Sequence, residues 1–241
     1  MRIVIIGYGK MGKAIENIAL NRGHEIVFRA SSDNPIHNFN LDCCDVAIEF
    51  TKPELAISHI NYCLENKTPI VVGTTAWLDK LSIVEKSVSQ YNGSLLHASN
   101  FSIGVNIFFE LNKKLASLIS SYPDYKAEIE ETHHTQKLDA PSGTAVKMAE
   151  DIIENNLSYD KWNLGEEEMP FCLQGNLPIT SYRRPNVPGN HKVTYASSID
   201  TISLSHIAHN RMGFALGAVL AAEWLVGKKG IYTMSNVLNI D

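Results

Sequence analysis

Two rhythms divide this chain. In its first hundred residues, short apolar runs alternate with longer stretches in which apolar residues recur every three or four positions. Arg2 to Ile6 is apolar after its first residue, and Met11, Ala14, Ile15, Ile18 and Ala19 then keep a helical period until Gly23. A short continuous run followed by that period predicts a buried strand and then an amphipathic helix. The same alternation predicts strands over Glu25 to Ala30, Asp45 to Phe50, Pro69 to Gly73 and Leu95 to Ala98, and helices over Pro53 to Asn66 and Ala76 to Tyr91. Strands that alternate with helices predict a doubly wound parallel sheet.

After Phe101 the pattern changes. Val105 to Ile119 reads as a long helix, Ala127 to His134 as a strand, and Ala145, Val146, Ala149, Ile152 and Ile153 as one face of a further helix. Ser158 to Pro178 is rich in charge and proline without periodicity, which predicts a surface loop. Ile179 to Arg183, Lys192 to Ala196 and Thr201 to Ala208 then read as strands with no helix between them, so the second sheet is expected to be mixed or antiparallel. Arg211 to Val226 is a final helix, and the apolar tail Ile231 to Leu238 is expected to return to the first domain. The fold class is therefore α/β, a doubly wound parallel sheet plus a smaller α+β domain. The expected division is 1–103 with 210–241 for the first domain and 104–209 for the second.

The first strand runs straight into Gly7-Tyr8-Gly9-Lys10-Met11-Gly12. A GxGxxG lodged between an apolar strand and an amphipathic helix predicts a Rossmann-like dinucleotide site. The first glycine permits the tight turn, the second lets backbone approach a pyrophosphate, and the third packs helix on strand. An acidic residue that would hold the ribose of NAD is missing from the end of the second strand, which reads Arg29-Ala30-Ser31-Ser32-Asp33. Arg29, Ser31 and Ser32 suit a 2'-phosphate and Asp33 a ribose, so NADPH is expected to serve at least as well as NADH. The breaks at Phe50-Thr51-Lys52, Gly73-Thr74-Thr75 and Ser99-Asn100-Phe101 follow strands, where ligand lies in such sheets.

Composition narrows the partners. A net charge of -5, with basic residues only in doublets such as Arg183-Arg184, argues against nucleic acid. The opening residues enter a strand without a basic or long apolar segment, so neither export nor membrane insertion is expected, and the location is expected to be cytoplasmic. Four cysteines (Cys43, Cys44, Cys63, Cys172) lack CxxC spacing and read as reduced thiols.

The densest chemistry lies in Glu130 to Ala145, EETHHTQKLDAPSGTA. Ser142 is placed to cap the following helix, with Gly143 and Thr144 in its first turn, where free N–H groups make an anion seat. The turn at Leu138 to Pro141 can fold Lys137 and one or both of His133 and His134 toward that seat. A cation, a proton donor and an anion seat would then converge, because imidazole exchanges protons near neutrality. Each part alone has a plainer reading: a cap, a solvated lysine, two histidines on opposite faces of a strand. No metal is expected, since no further histidine or cysteine at ligand spacing completes a set. Hydride transfer to a small carboxylated substrate fits the combination.

THHTQKLDAPSGTA, together with GYGKMG, the Gly73 to Thr75 break, ASNFSIGVN at Ala98 to Asn106 and HNRMGFALGA at His209 to Ala218, resembles the dihydrodipicolinate reductase family over nearly the full chain. The resemblance implies reduction of 4-hydroxy-tetrahydrodipicolinate, a cyclic imine dicarboxylate, by NADH or NADPH in lysine and diaminopimelate synthesis. It makes His133 the proton donor, Lys137 its companion acid and carboxylate partner, and His134, Ser142, Gly143 and Thr144 the substrate-binding groups. The cofactor set is Gly7, Tyr8, Gly9, Lys10, Met11, Gly12, Ser31, Gly73, Thr74, Thr75, Ala98, Ser99, Asn100, Phe101 and Arg211, with Phe214 near it. A homotetramer built through the second domain's sheet is also implied. The chain departs from the family at the end of the second strand and at Val187-Pro188-Gly189-Asn190-His191. Residue chemistry alone leaves open whether His133, Lys137 or a water supplies the proton. Two other readings remain: a dehydrogenase acting on aspartate semialdehyde or homoserine, which leaves THHTQKLDAPSGTA without a role, and a binding module that senses NADH without turnover.

Overall fold

The computed structural model describes residues 1–165, 175–210 and 212–240. In chain order its elements are β1 (Arg2–Ile6), α1 (Lys10–Asn21), β2 (Glu25–Ala30), β3 (Val46–Glu49), α2 (Pro53–Glu65), β4 (Ile70–Val72), α3 (Leu81–Tyr91), β5 (Ser94–His97) and α4 (Ile103–Ile119). There follow β6 (Lys126–His133), α5 (Gly143–Asn155), β7 (Tyr159–Leu164), β8 (Gly175–Arg183), β9 (Asn190–Ala196), β10 (Thr201–Ile207), α6 (Met212–Leu225), β11 (Gly230–Tyr232) and α7 (Met234–Leu238). The chain forms two compact units, Met1–Asn106 with Met212–Asp241, and Ile107–Arg211.

The first unit holds a six-stranded sheet in the order β11-β5-β4-β3-β1-β2, with every pairing parallel. Successive side chains of a strand face opposite ways. Ile3 and Ile5 of β1 therefore join a core with Ile15 of α1 and Val219 of α6, while Val4 and Ile6 join another with Ile60 of α2 and Val84 of α3. Burial on both faces is why the strand is apolar without alternation. The order reverses between β3 and β1, the switch point at which open parallel sheets bind ligands.

The second unit is a mixed sheet in the order β10-β9-β6-β8-β7; β6 runs parallel to β8 and antiparallel to β9. Ala127 and Ile129 of β6 turn into a core with Ala145, Met148, Ala149 and Ile152 of α5 and Phe108 and Ala116 of α4. Among the described residues, no helix is long and apolar enough to cross a membrane.

Two expectations need correction. The helix placed over Ala76 to Tyr91 begins only at Leu81: Ala76 takes a left-handed φ of 60°, and Trp77 is buried with its Nε1 donating to the Thr74 carbonyl at 2.8 Å. The loop expected over Ser158 to Pro178 contains β7 and the start of β8. Its polar composition hid an edge strand, since Asp160 and Lys161 of β7 face solvent while Tyr159 is buried; residues 166–174 of that loop lie outside the described residues. The tail returns to the first unit as expected, where its strand β11 pairs with β5.

Helix α6 is built on small residues because it approaches backbone closely. A Cβ at Gly217 would stand 1.7 Å from the Phe101 carbonyl oxygen. Gly217→Ala should therefore destabilise the protein by about 1–3 kcal/mol or more, read as a lower urea midpoint. An unchanged midpoint would show that α6 shifts away from Phe101 freely.

Candidate active site

In the first unit, Gly7 has φ +98°, and a Cβ there would meet the Phe50 carbonyl oxygen at 2.0 Å, so only glycine fits this turn. A Cβ at Gly12 would meet the Gly7 carbonyl at 2.3 Å, which is the close packing of helix on strand. Gly9 has open space beside it, as a backbone approached by a ligand needs. Gly7, Tyr8, Gly9 and Ser31 line a cavity of about 670 Å³ with Ser32, His37, Lys52 and His59. Met11, Gly73, Thr74 and Thr75 line a smaller one of about 270 Å³, with Phe50 and Thr51. Thr51 N–H donates to Thr74 Oγ1 at 2.7 Å and joins the two loops.

The other described residues of the expected set lie outside both cavity linings. Phe101 is buried, its ring 5.6 Å from that of Phe50. Asn100 Oδ1 accepts from Ser102 N–H at 2.9 Å and its carbonyl from Asn106 Nδ2 at 2.9 Å, which secures the start of α4. Lys10 is exposed, and Ala98 and Ser99 follow β5. Arg211 lies outside the described residues. Arg29 does not line the larger cavity; its guanidinium is bound to Glu16, which also accepts from the Tyr8 hydroxyl. Asp33 accepts from its neighbour Ser32.

In the second unit the active-site candidates gather around Glu131. Burial alternates along β6, so Glu131 and His133, two apart, face the same interior side. Glu131 is 1% exposed. Its Oε1 accepts from Ser142 N–H at 3.1 Å, Ser181 Oγ at 2.8 Å and both terminal nitrogens of Arg183 at 3.3 Å. Its Oε2 lies 3.1 Å from His133 Nδ1 and 3.9 Å from His191 Nε2. The rings of His133 and His191 meet edge to face, 5.0 Å between centroids. Arg183 also donates to the carbonyls of Lys137, at 3.3 Å, and Asp139, at 2.6 Å, and so pins the turn that carries Lys137.

Ser142 caps α5 as expected, its Oγ accepting from Ala145 N–H at 3.2 Å. The side chain is buried, however, and its hydroxyl lies 3.2 Å from His191 Nε2, so it faces inward. The outward part of the helix start is Gly143, exposed, and Thr144, half-buried, in the turn whose N–H groups lack intrahelical acceptors. Lys137 Nζ pairs with Asp139 at 2.7 Å, and Asp139 is itself largely exposed. His134, the next residue after His133, is half-buried.

The charges are settled by these contacts. Burial works to raise the Glu131 carboxyl, but hydrogen bonds from His133, Ser142 and Ser181 and the charge on His133 outweigh it and hold the group well below the usual carboxylate range. Burial, and then the charge of His133, push His191 down to about 3, so this ring is neutral at physiological pH. Hydrogen bonding to Lys137 lowers Asp139. Glu131, His133 and His191 bring ligand-type atoms within 4.8 Å of one another. This corrects the expectation that the histidines would find no companions of ligand type. The carboxylate is nevertheless already met by a guanidinium and two other donors, with an imidazole 3.1 Å from its second oxygen, which makes the group a buried ion-pair network.

Glu131, Ser181, Arg183 and His191 carry the site's architecture, yet none was singled out for a role in the sequence. Glu131 had a legible signal: it falls in the apolar phase of a strand, where an ionised side chain must be paired. Arg183 and His191 come from distant strands and have no local one.

A glycine turn at the switch point of a parallel sheet, and a separate sheet carrying an imidazole–carboxylate pair, a lysine and a helix start, define a dinucleotide-dependent oxidoreductase of two units. Residues 1–101 match the family described as dihydrodipicolinate reductase, N-terminus, and residues 104–238 that described as dihydrodipicolinate reductase, C-terminus. The chain belongs to the dihydrodipicolinate reductase family and is a reductase. It is 47% identical over 239 residues, 99% of this chain and 98% of the other, to a 4-hydroxy-tetrahydrodipicolinate reductase of Christiangramia forsetii. Its fold is similar to that of a dipicolinate-bound dihydrodipicolinate reductase from Paenisporosarcina sp. TG-14, with TM-score 0.75, 28% identity and 97% of each chain covered. An amine dehydrogenase from Mycobacterium smegmatis shares the fold alone, with TM-score 0.59, 9% identity, and 96% of this chain and 94% of that one covered.

The neutral His191 sets a pH dependence. Its folded value lies below its unfolded one, so between about 3 and 6.5 the unfolded chain binds the extra proton and stability falls as pH falls. From pH 7.5 to 5.0 this residue should remove about 2 kcal/mol, at 1.36 kcal/mol per pH unit below 6.5. Urea unfolding at the two pH values should show a smaller drop for His191→Gln than for the parent. Equal drops would show that His191 is not buried as a neutral ring.

Proposed function

We propose that this chain transfers a hydride from NADH or NADPH to 4-hydroxy-tetrahydrodipicolinate, giving tetrahydrodipicolinate in lysine and diaminopimelate synthesis. One observation carries the reading: within a single unit, His133 is braced by a buried carboxylate beside a lysine-bearing turn and a helix start. The 4-hydroxyl leaves as water with a neighbouring ring hydrogen, which makes that carbon conjugated with the ring imine; the hydride goes there, and a proton from an enzyme acid quenches the charge that develops. That charge and two substrate carboxylates need donors fixed in advance. The Paenisporosarcina relative is described with dipicolinate bound, a six-membered nitrogen ring bearing two carboxylates like the proposed substrate.

In this reading His133 is the proton donor, and Lys137 exchanges exposed Asp139 for a substrate carboxylate and assists as companion acid. Gly143 and Thr144 receive carboxylate oxygen at the start of α5, with His134 beside them, while Ser142 holds that start in place. The dinucleotide lies on the Gly7 to Gly12 turn, its adenosine half toward Ser31 and its nicotinamide half toward Gly73 to Thr75 and the Ala98 to Phe101 segment, with Arg211 on the same side. Among the described residues that line the cavity where β2 ends there is no carboxylate, which favours use of NADPH at least as well as NADH. The cytoplasm is the proposed location, where a nicotinamide reductase finds its cofactor; Cys43, Cys44 and Cys63 are free thiols. A homotetramer is proposed through the outer sheet face and β10, whose Ile202 and Ile207 are exposed. Light scattering should give the mass of four chains; a monomer at micromolar concentration would end that part of the proposal.

The reaction is tested by coupling: aspartate semialdehyde and pyruvate, processed by the synthase that condenses them, should cause oxidation of NADH or NADPH on addition of this protein. No oxidation of either would overturn the proposal.

Roles within the site separate kinetically. His133→Ala and Lys137→Ala should each lower kcat by roughly a hundredfold to ten-thousandfold, the range for a general acid. Thr144→Ala keeps the backbone N–H and should mainly raise the substrate KM. Cofactor binding should survive all three, since the dinucleotide rests on the other unit. A near-normal kcat for either of the first two would remove that residue from the chemistry.

Cofactor choice has its own test. Glu16→Ala frees Arg29 from its ion pair and should lower the KM for NADPH more than that for NADH. Equal effects on both would show that Arg29 does not reach a 2'-phosphate.

A further inference from the structure

His133 presents two nitrogens, and only one can face substrate. Nδ1 lies 3.1 Å from Glu131 Oε2. The Nε2 edge lies beside Gly189, where an added Cβ would come within 3.0 Å of it, so a side chain there would crowd that edge. The other carboxylate oxygen, Oε1, is saturated by Ser142, Ser181 and Arg183, which leaves Oε2 for the imidazole. We propose that Glu131 is the positioning residue of the proton donor: it fixes the Nδ1–H of His133 and makes Nε2–H the proton delivered to substrate. The inference rests on the proposed reduction, in which His133 supplies that proton.

An ionised carboxylate accepts hydrogen bonds and donates none, so Nδ1 carries its hydrogen whether the ring is charged or neutral. In the step itself the Nε2–H bond breaks, its electron pair stays on Nε2, and the proton goes to the anion formed by hydride addition. The ring is left neutral as the Nδ1–H tautomer, still bound to Glu131, and is recharged from solvent. No hydrogen bond has to be rebuilt, which is the service a buried carboxylate performs for a catalytic imidazole elsewhere.

The surroundings make the carboxylate necessary. His133 meets Glu131 on its own strand and His191 on β9; the charged and titratable groups around that cluster are Arg183 on β8, which pairs with Glu131, His206 of β10 and Lys137, which act on His191, and Asp139, which pairs with Lys137. Two of these are cations, and Glu131 is the one buried anion among them. Burial keeps water from screening it. Glu131 supplies both the charge that opposes Arg183 beside the ring and the acceptor that holds the hydrogen on Nδ1.

The test is the pH profile of kcat for Glu131→Gln, with Glu131→Asp as the variant that restores the charge. An acid must be protonated to act, so activity falls as pH rises through its titration. In Glu131→Gln that falling limb should move down by about one to three pH units, the effect of losing an opposite charge at this range. At pH values below the limb, kcat should return to within about tenfold of the parent, with the KM for NADPH unchanged. Glu131→Asp should keep the limb near its parental position. A folded, active Glu131→Gln enzyme with an unmoved limb would overturn the inference while leaving the reduction intact; a parent enzyme without turnover would overturn the reduction instead. Should Glu131→Gln fail to fold, nitrogen NMR of histidine-labelled parent protein decides, with His133→Gln used to assign the signal. A neutral His133 in the Nδ1–H form is the result expected, and the Nε2–H form would overturn the proposal.

Discussion

One buried carboxylate joins most of the second unit's chemistry. Glu131 binds Arg183 and Ser181 of β8, the backbone of Ser142 at the start of α5, and His133 on its own strand. Arg183 extends the tie to the carbonyls of Lys137 and Asp139. Burying a carboxylate alone costs several kcal/mol, and the cost is offset only when its lone pairs are all met by well-placed donors. The sheet pairing, the lysine turn and the helix start must therefore form together, and the same contacts that satisfy the charge set the positions of the candidate catalytic groups. Breaking any one of them leaves a charge without its partner.

The first unit rests on a different constraint, backbone proximity. Gly7 and Gly12 leave no room for a Cβ, and the turn they permit brings α1 onto β1 and leaves open space beside Gly9. The turn itself depends on backbone space, which is why a dinucleotide site of this kind is set by glycines and apolar strands. The second unit's proposed task is to recognise anions and move a proton, and its paired charges are kept from water. Each unit is thus stabilised by the kind of interaction that its chemistry uses.

Much of this was legible in the sequence where the signal is local. The alternation from β1 to β5 follows from burial on both sheet faces, and GYGKMG lies at the turn its glycines predict. His133, Lys137 and Ser142 fall within one stretch, and that stretch does form the site's framework. What could not be read locally involves partners far along the chain: Arg183 and His191 meet Glu131 from 52 and 60 residues away, and no periodicity marks them. The strand β7 stayed hidden because an edge strand with polar outward residues resembles a loop. Ser142 was legible as a cap, but not as a residue whose hydroxyl turns inward to His191. Arg29 looked available for a phosphate because its ion-pair partner, Glu16, lies on a different element.

We propose that the groups organised by Glu131 form the substrate site, and a crystal structure with NADPH and dipicolinate bound is the decisive measurement. One ligand carboxylate is expected on the backbone N–H groups of Gly143 and Thr144, the other on Lys137 Nζ released from Asp139, and the ring beside His133 Nε2. Dipicolinate bound away from the start of α5, with Lys137 still paired to Asp139, would contradict it.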